Sequence, residues 1–429
     1  MPGEKADNPD FTRHLLRYGR NFSPELIARA RGSWLYTKSG REILDFSSGQ
    51  MCATIGHNHP AIANAMASAA NRVLHLDSTM LSRDVVELAD RIVALLPAPL
   101  SRVQFLNTGG EANEAAIRLA KIVTGRHEIV ALTGSWHGTT LGASAATYAH
   151  GRRGYGPTVP GALAIPAPNC YRCPLRKSPE SCAMACLDLG FELVDASASA
   201  NPAALIMEPV QSAGGIIVPP PGYHAKVLDK CRDRGMLLIL DESQTGLGRT
   251  GRMFGFEREG IVPDILTLSK TLGGGLPLSA VVTSDDIAAQ SARLGFSHYT
   301  SHASDPLTAA VGLAVLDVIE SEGLAARAHE TGTRLLERLA ELQTRHPAIG
   351  DIRGHGLLLG VEIVTNRADK TPGYELIESL SNRAYALGLN LNKVGGPHSV
   401  WRLAPPLNIS DAEIDIALGI LDQVFESEI

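Results

Sequence analysis

The amino-acid sequence predicts an α/β protein built on a mostly parallel sheet, and three observations carry that reading. From Val103 to about Val282, short apolar runs alternate with segments of helical periodicity, the pattern of a sheet covered by helices. Two of those runs end in ionisable residues, Leu237–Leu240 in Asp241 and Ile265–Leu268 in Ser269-Lys270, so charge collects at one edge of the sheet. The chain has 429 residues, more than one ordinary core accommodates, which leaves room for a smaller companion domain.

Composition narrows the function classes. A hydrophobic content of 44%, a charged content of 20% and a formal net charge of -6 describe an enzyme-like globular chain and argue against a nucleic-acid surface. Met1 to Asn8 is polar, and no apolar run approaches the ~18 residues of a membrane span, so a cytoplasmic location is expected. Six cysteines in a chain this long do not make a disulfide framework.

Taken in order, residues 1–100 read as an N-terminal segment of the smaller domain. Ser33–Tyr36 and Glu42–Phe46 flank a Ser-Gly turn and predict a hairpin; Gln50 falls on the loop after it, and Pro60 opens an alanine-rich helix to Ala70. Residues 101–310 form the large domain. Strands are expected at Val103–Leu106, Glu128–Leu132, Ala204–Met207, Met236–Leu240 and Ile265–Leu268, and a helix from Glu111 to Val123 is stopped by Gly125. A cysteine-rich insertion occupies about 168–188. Residues 311–429 are expected to carry the rest of a long helix, Ala309–Glu320, and a C-terminal lobe with strands near Gly356–Ile363 and Val400–Leu403.

Each candidate site residue has an ordinary reading beside the chemical one. Asn107-Thr-Gly-Gly110 before a helix offers backbone N–H groups to a phosphate, but serves a tight turn as readily. Trp136 would stack on a flat ring or fill a core. Asp241, at the edge where ligands of open sheets bind, suits a cationic ring nitrogen, a helix cap or a metal. Lys270, delivered by an apolar strand into a turn of Gly273, Gly274 and Gly275, would lose its charge to burial and become a nucleophile and base, or simply face solvent.

Together these residues stand in the chain order of pyridoxal phosphate enzymes of the aspartate-aminotransferase fold. Leu237 to Arg249 with Gly251, and Thr267-Leu-Ser-Lys-Thr-Leu-Gly-Gly-Gly-Leu-Pro277, resemble the class III (subgroup II) aminotransferases, and the likeness runs over nearly the whole chain. Within that class it is greatest to the 2,2-dialkylglycine decarboxylases, through Leu44–Met51, Met80–Arg83, Tyr299–Pro306, Gly354–Glu362 and Arg402–Leu407. The resemblance implies fold type I of the pyridoxal-phosphate-dependent transferases, with a homodimer, or a tetramer of it, sharing active sites.

It also implies roles. Lys270 would be the Schiff-base lysine, Asp241 the partner of the pyridinium, Trp136 the stacking ring and Gln244 a donor to the cofactor's 3-oxygen. Gly109 and Gly110 would hold the phosphate, helped by Ser301 from the other subunit. Arg402 resembles the arginine that grips a substrate carboxylate, and Gln50 the glutamine that holds a carboxylate in the reactive direction so that CO2 leaves. Thr139 and Ala213 depart from the decarboxylase pattern, as does the basic Asn392–Pro397 loop, which puts side-chain preference in doubt. An alkali-metal site for K+ or Na+ is implied at Ser78 and Asp305 with the carbonyls of Leu76, Ser301 and Ala303, where Ser78 and Asp305 also suit helix caps.

Cys170, Cys173, Cys182 and Cys186 begin with a CxxC pair and would suit a structural Zn2+, a redox disulfide or four plain thiols. The expected reaction is decarboxylating transamination, in which a 2,2-dialkylglycine such as 2-aminoisobutyrate plus pyruvate gives CO2, a ketone and L-alanine. The alternative is a class III ω-aminotransferase taking an amine or ω-amino acid. A non-catalytic cofactor-binding scaffold is disfavoured by the presence of both Lys270 and Asp241.

Overall fold

A computed structural model describes residues 12–16, 22–152, 154–199, 201–395 and 399–426. The polar Met1 to Asn8 stretch and the Gly396-Pro397 end of the loop before Arg402 lie outside the described residues.

The central sheet has seven strands, in the order Arg102–Leu106, Ser279–Thr283, Ile265–Leu268, Leu237–Asp241, Ala204–Met207, Ile129–Leu132 and Ala162–Ile165. The last five run parallel, while Ser279–Thr283 is antiparallel to both of its neighbours. Every residue of Ala204–Met207 and Ile265–Leu268 is buried, as strands covered on both faces require. Pairing of Asp241 with Thr267 sets the ends of two parallel strands side by side, and Lys270 begins a turn three residues beyond Thr267.

Two smaller sheets flank it. Trp34–Thr37 and Glu42–Asp45 form the expected hairpin, with a further strand, Ile27–Arg31, on its outer edge. Leu389–Asn390 joins the hairpin in parallel, Leu389 opposite Leu44, so distant ends of the chain share one sheet. The other sheet runs Ile349–His355, Leu358–Asn366, Val400–Leu403, Asn392–Val394, which buries Arg402 on its third strand.

The long helix after the central sheet, Pro306–Ser321, packs against the helices Pro60–Ala70 and Arg83–Ala94 and against the turn that starts at Lys270. Gly274 makes that approach possible: its φ is +55°, and a Cβ there would lie 2.6 Å from Ile62 and 2.7 Å from Val315. The turn's shape is therefore set by the helix behind it. No described helix is long and apolar enough to cross a membrane.

Candidate active site

Where the strands Arg102–Leu106, Leu237–Asp241 and Ile265–Leu268 end, a cavity of 380 Å³ opens. Its walls bring together Gly109, Gly110, Trp136, Asp241 and Lys270, residues from four separate segments.

Gly109 and Gly110 are not turn residues, as the sequence suggested, but the first two residues of the helix Gly109–Thr124. Thr108 is its N-cap, and a capping box ties the Thr108 hydroxyl to the Glu111 N–H while the Glu111 carboxylate accepts from the Thr108 N–H. The helix start thus presents backbone N–H groups and positive dipole to the cavity. Room is kept by glycine: a Cβ on Gly109 would meet the Ser243 hydroxyl at 3.0 Å, and one on Gly138, at φ +124°, would lie 2.6 Å from the Gly110 Cα.

Asp241 is held from three sides. Its Oδ2 accepts from Asn113 Nδ2 at 2.7 Å and lies 2.9 Å from His137 Nδ1, while Oδ1 accepts from the Ser243 N–H at 3.0 Å. Burial pushes its carboxyl pKa up, but the bonds and charge of His137, the Ser243 contact and the charge of Lys270 outweigh burial, leaving the net value below the usual 3.8. The carboxylate stays ionised. Asn113 is fixed in turn by its bond to the His137 carbonyl at 2.8 Å and by Thr267, whose hydroxyl donates to Asn113 Oδ1 at 2.7 Å.

Lys270 has a φ of +45°, an uncommon conformation for a non-glycine residue. It is only part-buried by surface area, because it faces the cavity, yet the walls dehydrate its amine. That burial lowers its pKa, while Asp241 pulls the other way.

Arg402 and Gln244 lie behind this cavity, both buried. Arg402 Nη1 donates to Gln244 Oε1 at 2.8 Å and to the Ser212 hydroxyl at 3.2 Å, and its charge is close enough to act on Lys270. Gln50 stands apart from the cavity lining and is exposed. It is not on an open loop but within the kinked turn Ser48–Met51, with φ 65° and ψ 30°, its carboxamide oxygen 3.5 Å from Asn392 Nδ2.

A family model for aminotransferase class-III matches residues 18–425. The chain belongs to that family. It is 46% identical over 411 residues to an uncharacterized aminotransferase of Schizosaccharomyces pombe, covering 95% of this chain and 92% of that protein. It is 36% identical to a diaminobutyrate–2-oxoglutarate aminotransferase of Rhizobium meliloti (95% of this chain, 89% of the relative) and 34% identical to a leucine/methionine racemase of Thermococcus litoralis (94% and 90%). Among solved structures it superimposes on a thermostable (S)-enantioselective omega-transaminase from Thermomicrobium roseum with a TM-score of 0.91, at 33% identity and 97% of each chain. An amine transaminase of an uncultivated Pseudomonas species, solved with pyridoxal phosphate bound, matches with a TM-score of 0.90 at 27% identity, over 97% of this chain and 98% of that one.

The aminotransferase's cavity fits that cofactor. The glycine-kept space at a helix start suits a phosphate, a buried carboxylate suits a ring nitrogen, and the Ser243 hydroxyl is buried in the cavity wall without a hydrogen-bond partner among the described residues. Trp136 stands at the wall, its backbone N–H donating to Glu208 Oε1 at 3.0 Å, its ring edge-on to Tyr155 at 5.9 Å. Ser301 is exposed and does not line the cavity of its own chain.

Asn113, His137, Glu208, Ser243 and Cys52 escaped the sequence reading. Asn113 and His137 had a readable signal: a polar residue one helical turn past the Gly-Gly pair, and an imidazole beside the indole. Glu208 accepts from the Trp136 and Ser212 N–H groups, and burial pushes its carboxyl pKa up to about 7.

At the predicted alkali-metal position, beside Ser78 and the carbonyls of Leu76, Ser301 and Ala303, the two oxygens of Asp305 lie 2.6 Å from the imidazoles of His75 and His302. Among the described residues, the four cysteines do not form a group with ligand atoms within 4.8 Å of one another. Ala183 and Met184, both left-handed, lie between Cys182 and Cys186, and the thiols, from exposed Cys170 to buried Cys186, are near enough to act on one another electrostatically.

Proposed function

We propose that the chain is a pyridoxal-phosphate-dependent ω-aminotransferase that moves an amino group from a primary amine or ω-amino acid to a 2-oxo acid such as pyruvate or 2-oxoglutarate. The observation that carries this is Arg402, a buried guanidinium beside the lysine, held by the neutral acceptors Gln244 and Ser212. A substrate carboxylate forms charge-assisted bonds about twice as strong as neutral ones, so it displaces those acceptors and orients the oxo acid. When bound, the cofactor supplies an electron sink for the pair left at the substrate α-carbon. Lys270, with its depressed pKa, takes the proton from the donor's carbon in the first half-reaction and delivers one to the former oxo carbon of the acceptor in the second. Asp241 stays ionised and would keep a proton on the ring nitrogen facing it. Gly109 and Gly110 would take the phosphate, and Trp136 one face of the ring.

The names of the relatives, aminotransferases and omega-transaminases among them, also favour transamination. One observation favours the decarboxylating reading: Ser48, Gln50 and Met51 all have positive φ, and backbone strain of this kind clusters at functional sites. The exposed Ser301 supports a homodimer in which this residue reaches the partner's cradle.

The test is a paired assay of the purified holoenzyme. A primary amine or ω-amino acid with pyruvate should yield alanine without CO2, and 2-aminoisobutyrate with pyruvate should be turned over poorly. Stoichiometric CO2 and acetone from 2-aminoisobutyrate, with no amine turnover, would sink the ω-aminotransferase reading.

A further inference from the structure

We propose that Arg353 is a positioning residue for the substrate carboxylate, acting through the turn that carries Ser212, an inference that rests on Arg402 taking that carboxylate. The C-terminal sheet sets the two arginines in one row. Arg353, on the strand Ile349–His355, stands opposite Gly360 on Leu358–Asn366, and Gly360 stands opposite Arg402 on Val400–Leu403. Residues directly opposed in antiparallel strands present their side chains on the same face. Both arginine side chains therefore leave one face of the sheet, with a gap between them where Gly360 has no side chain.

A turn closed by Gln211 and Ile217, each N–H donating to the other's carbonyl at 3.0 Å, fills that gap. Ile216 sits over Gly360, where a Cβ would lie 2.9 Å from the Ile216 Cβ. At φ 54° this β-branched residue holds a left-handed conformation that persists only where the surroundings impose it. Arg353 supplies that hold. Its Nε donates to the Gly215 and Ile216 carbonyls, each at 3.0 Å, and its Nη2 to the Gly215 carbonyl at 2.6 Å. The N–H groups of the same two residues donate to the Ser212 carbonyl at 3.2 and 3.3 Å. Ser212 is thus two hydrogen bonds from Arg353, and its hydroxyl accepts from Arg402 Nη1 at 3.2 Å.

Arg353 is itself fixed. Its Nη1 pairs with Asp351 at 2.6 Å and with Glu362 at 2.7 Å, and the fully buried Glu362 is also bound by Arg172 from the cysteine-rich insertion. A planar fork held by two carboxylates aims its remaining N–H groups at the turn, which the single ammonium of a lysine cannot reproduce. Ser212 and Gln244 in turn keep the Arg402 guanidinium oriented before an oxo acid arrives, so less ordering is left to be done on binding. Arg353 lies outside the cavity lining, yet it tunes affinity for a carboxylate. A simple primary amine, which brings no carboxylate, is insensitive to it.

The experiment compares holoenzymes carrying Arg353→Lys, Ser212→Ala, both together, and Gly360→Ala, assayed with a simple primary amine and pyruvate. Arg353→Lys keeps a positive charge against Glu362 and loses the contacts to the turn. Its KM for pyruvate should rise roughly 3–10-fold, the worth of one or two neutral hydrogen bonds, with the amine half-reaction within about twofold of the parent. Ser212→Ala should act alike, and the double variant should be no worse than the poorer single one, because the two residues work through one contact. Gly360→Ala, which pushes a methyl against Ile216, should show the same selective rise and carries the test if Arg353→Lys does not fold by circular dichroism. Arg402→Leu is the reference: an unchanged KM for pyruvate there sinks the carboxylate reading and this proposal with it. A raised KM in Arg402→Leu overturns the positioning proposal alone if Arg353→Lys and Gly360→Ala leave KM unchanged, slow the amine half-reaction equally, or, for Arg353→Lys, add in full to Ser212→Ala.

Discussion

Arg402 is a buried cation beside the lysine that donates to Gln244 and Ser212, and that makes it the residue whose removal is most informative. Arg402→Leu should raise the KM for pyruvate by roughly 10–100-fold, the worth of ~1.5–3 kcal/mol for bonds to a charged group. Consumption of a simple amine in the first half-reaction should change little. Equal losses with both substrates would show that the arginine does not discriminate the carboxylate. At this scale the sequence was informative where chemistry interrupts an apolar run: Asp241 ends one strand and Lys270 follows another. It was silent where a residue acts through a distant partner, as Glu208 does on the Trp136 segment. Arg402 and Gln244 stand far apart in sequence, so their bond could not be read from either segment alone.

Among elements, the cradle depends on two backbones that touch. The segment after Ile129–Leu132 crosses the start of the helix Gly109–Thr124 at Gly138, and a methyl there would collide with Gly110. Gly138→Ala should therefore push the helix start out of place and weaken cofactor binding at least tenfold by fluorescence titration, with the fold retained by circular dichroism. Unchanged affinity would mean that the Gly109-Gly110 segment is not where the phosphate sits. The helix itself was legible from its periodicity. Its start was placed two residues late, although Thr108 and Glu111 already carried the capping-box spacing. The strand Ser279–Thr283 was missed as a separate element because it directly follows the glycine turn and runs against its neighbours, where alternation of strand and helix gives no cue.

Across the whole molecule, the site is assembled from pieces far apart in sequence, held by a core that buries ionisable groups. Glu242 is one: burial pushes its carboxyl from 4.5 up to about 7, against the bonds from Thr245, Gly255 and Phe256. A carboxyl raised in the folded state contributes stability fully below about pH 4.5, and that contribution is lost as pH rises toward about 7. Glu242→Gln lacks this loss. Its stability relative to the parent should rise by a few kcal/mol across that window in urea titrations; a constant difference would contradict the burial account. The parallel α/β core was readable from alternating runs. Pairing of Leu389 with Leu44, which closes the N-terminal sheet with a C-terminal strand, was not, because a two-residue strand has no periodicity to detect.

The central claim is that Lys270 carries the cofactor. Reduction of the holoenzyme with borohydride, followed by peptide mapping, tests it most directly: the account predicts a pyridoxyl-phosphate label on the tryptic peptide containing Lys270, absent in Lys270→Ala. A label on any other lysine, or none, would contradict it.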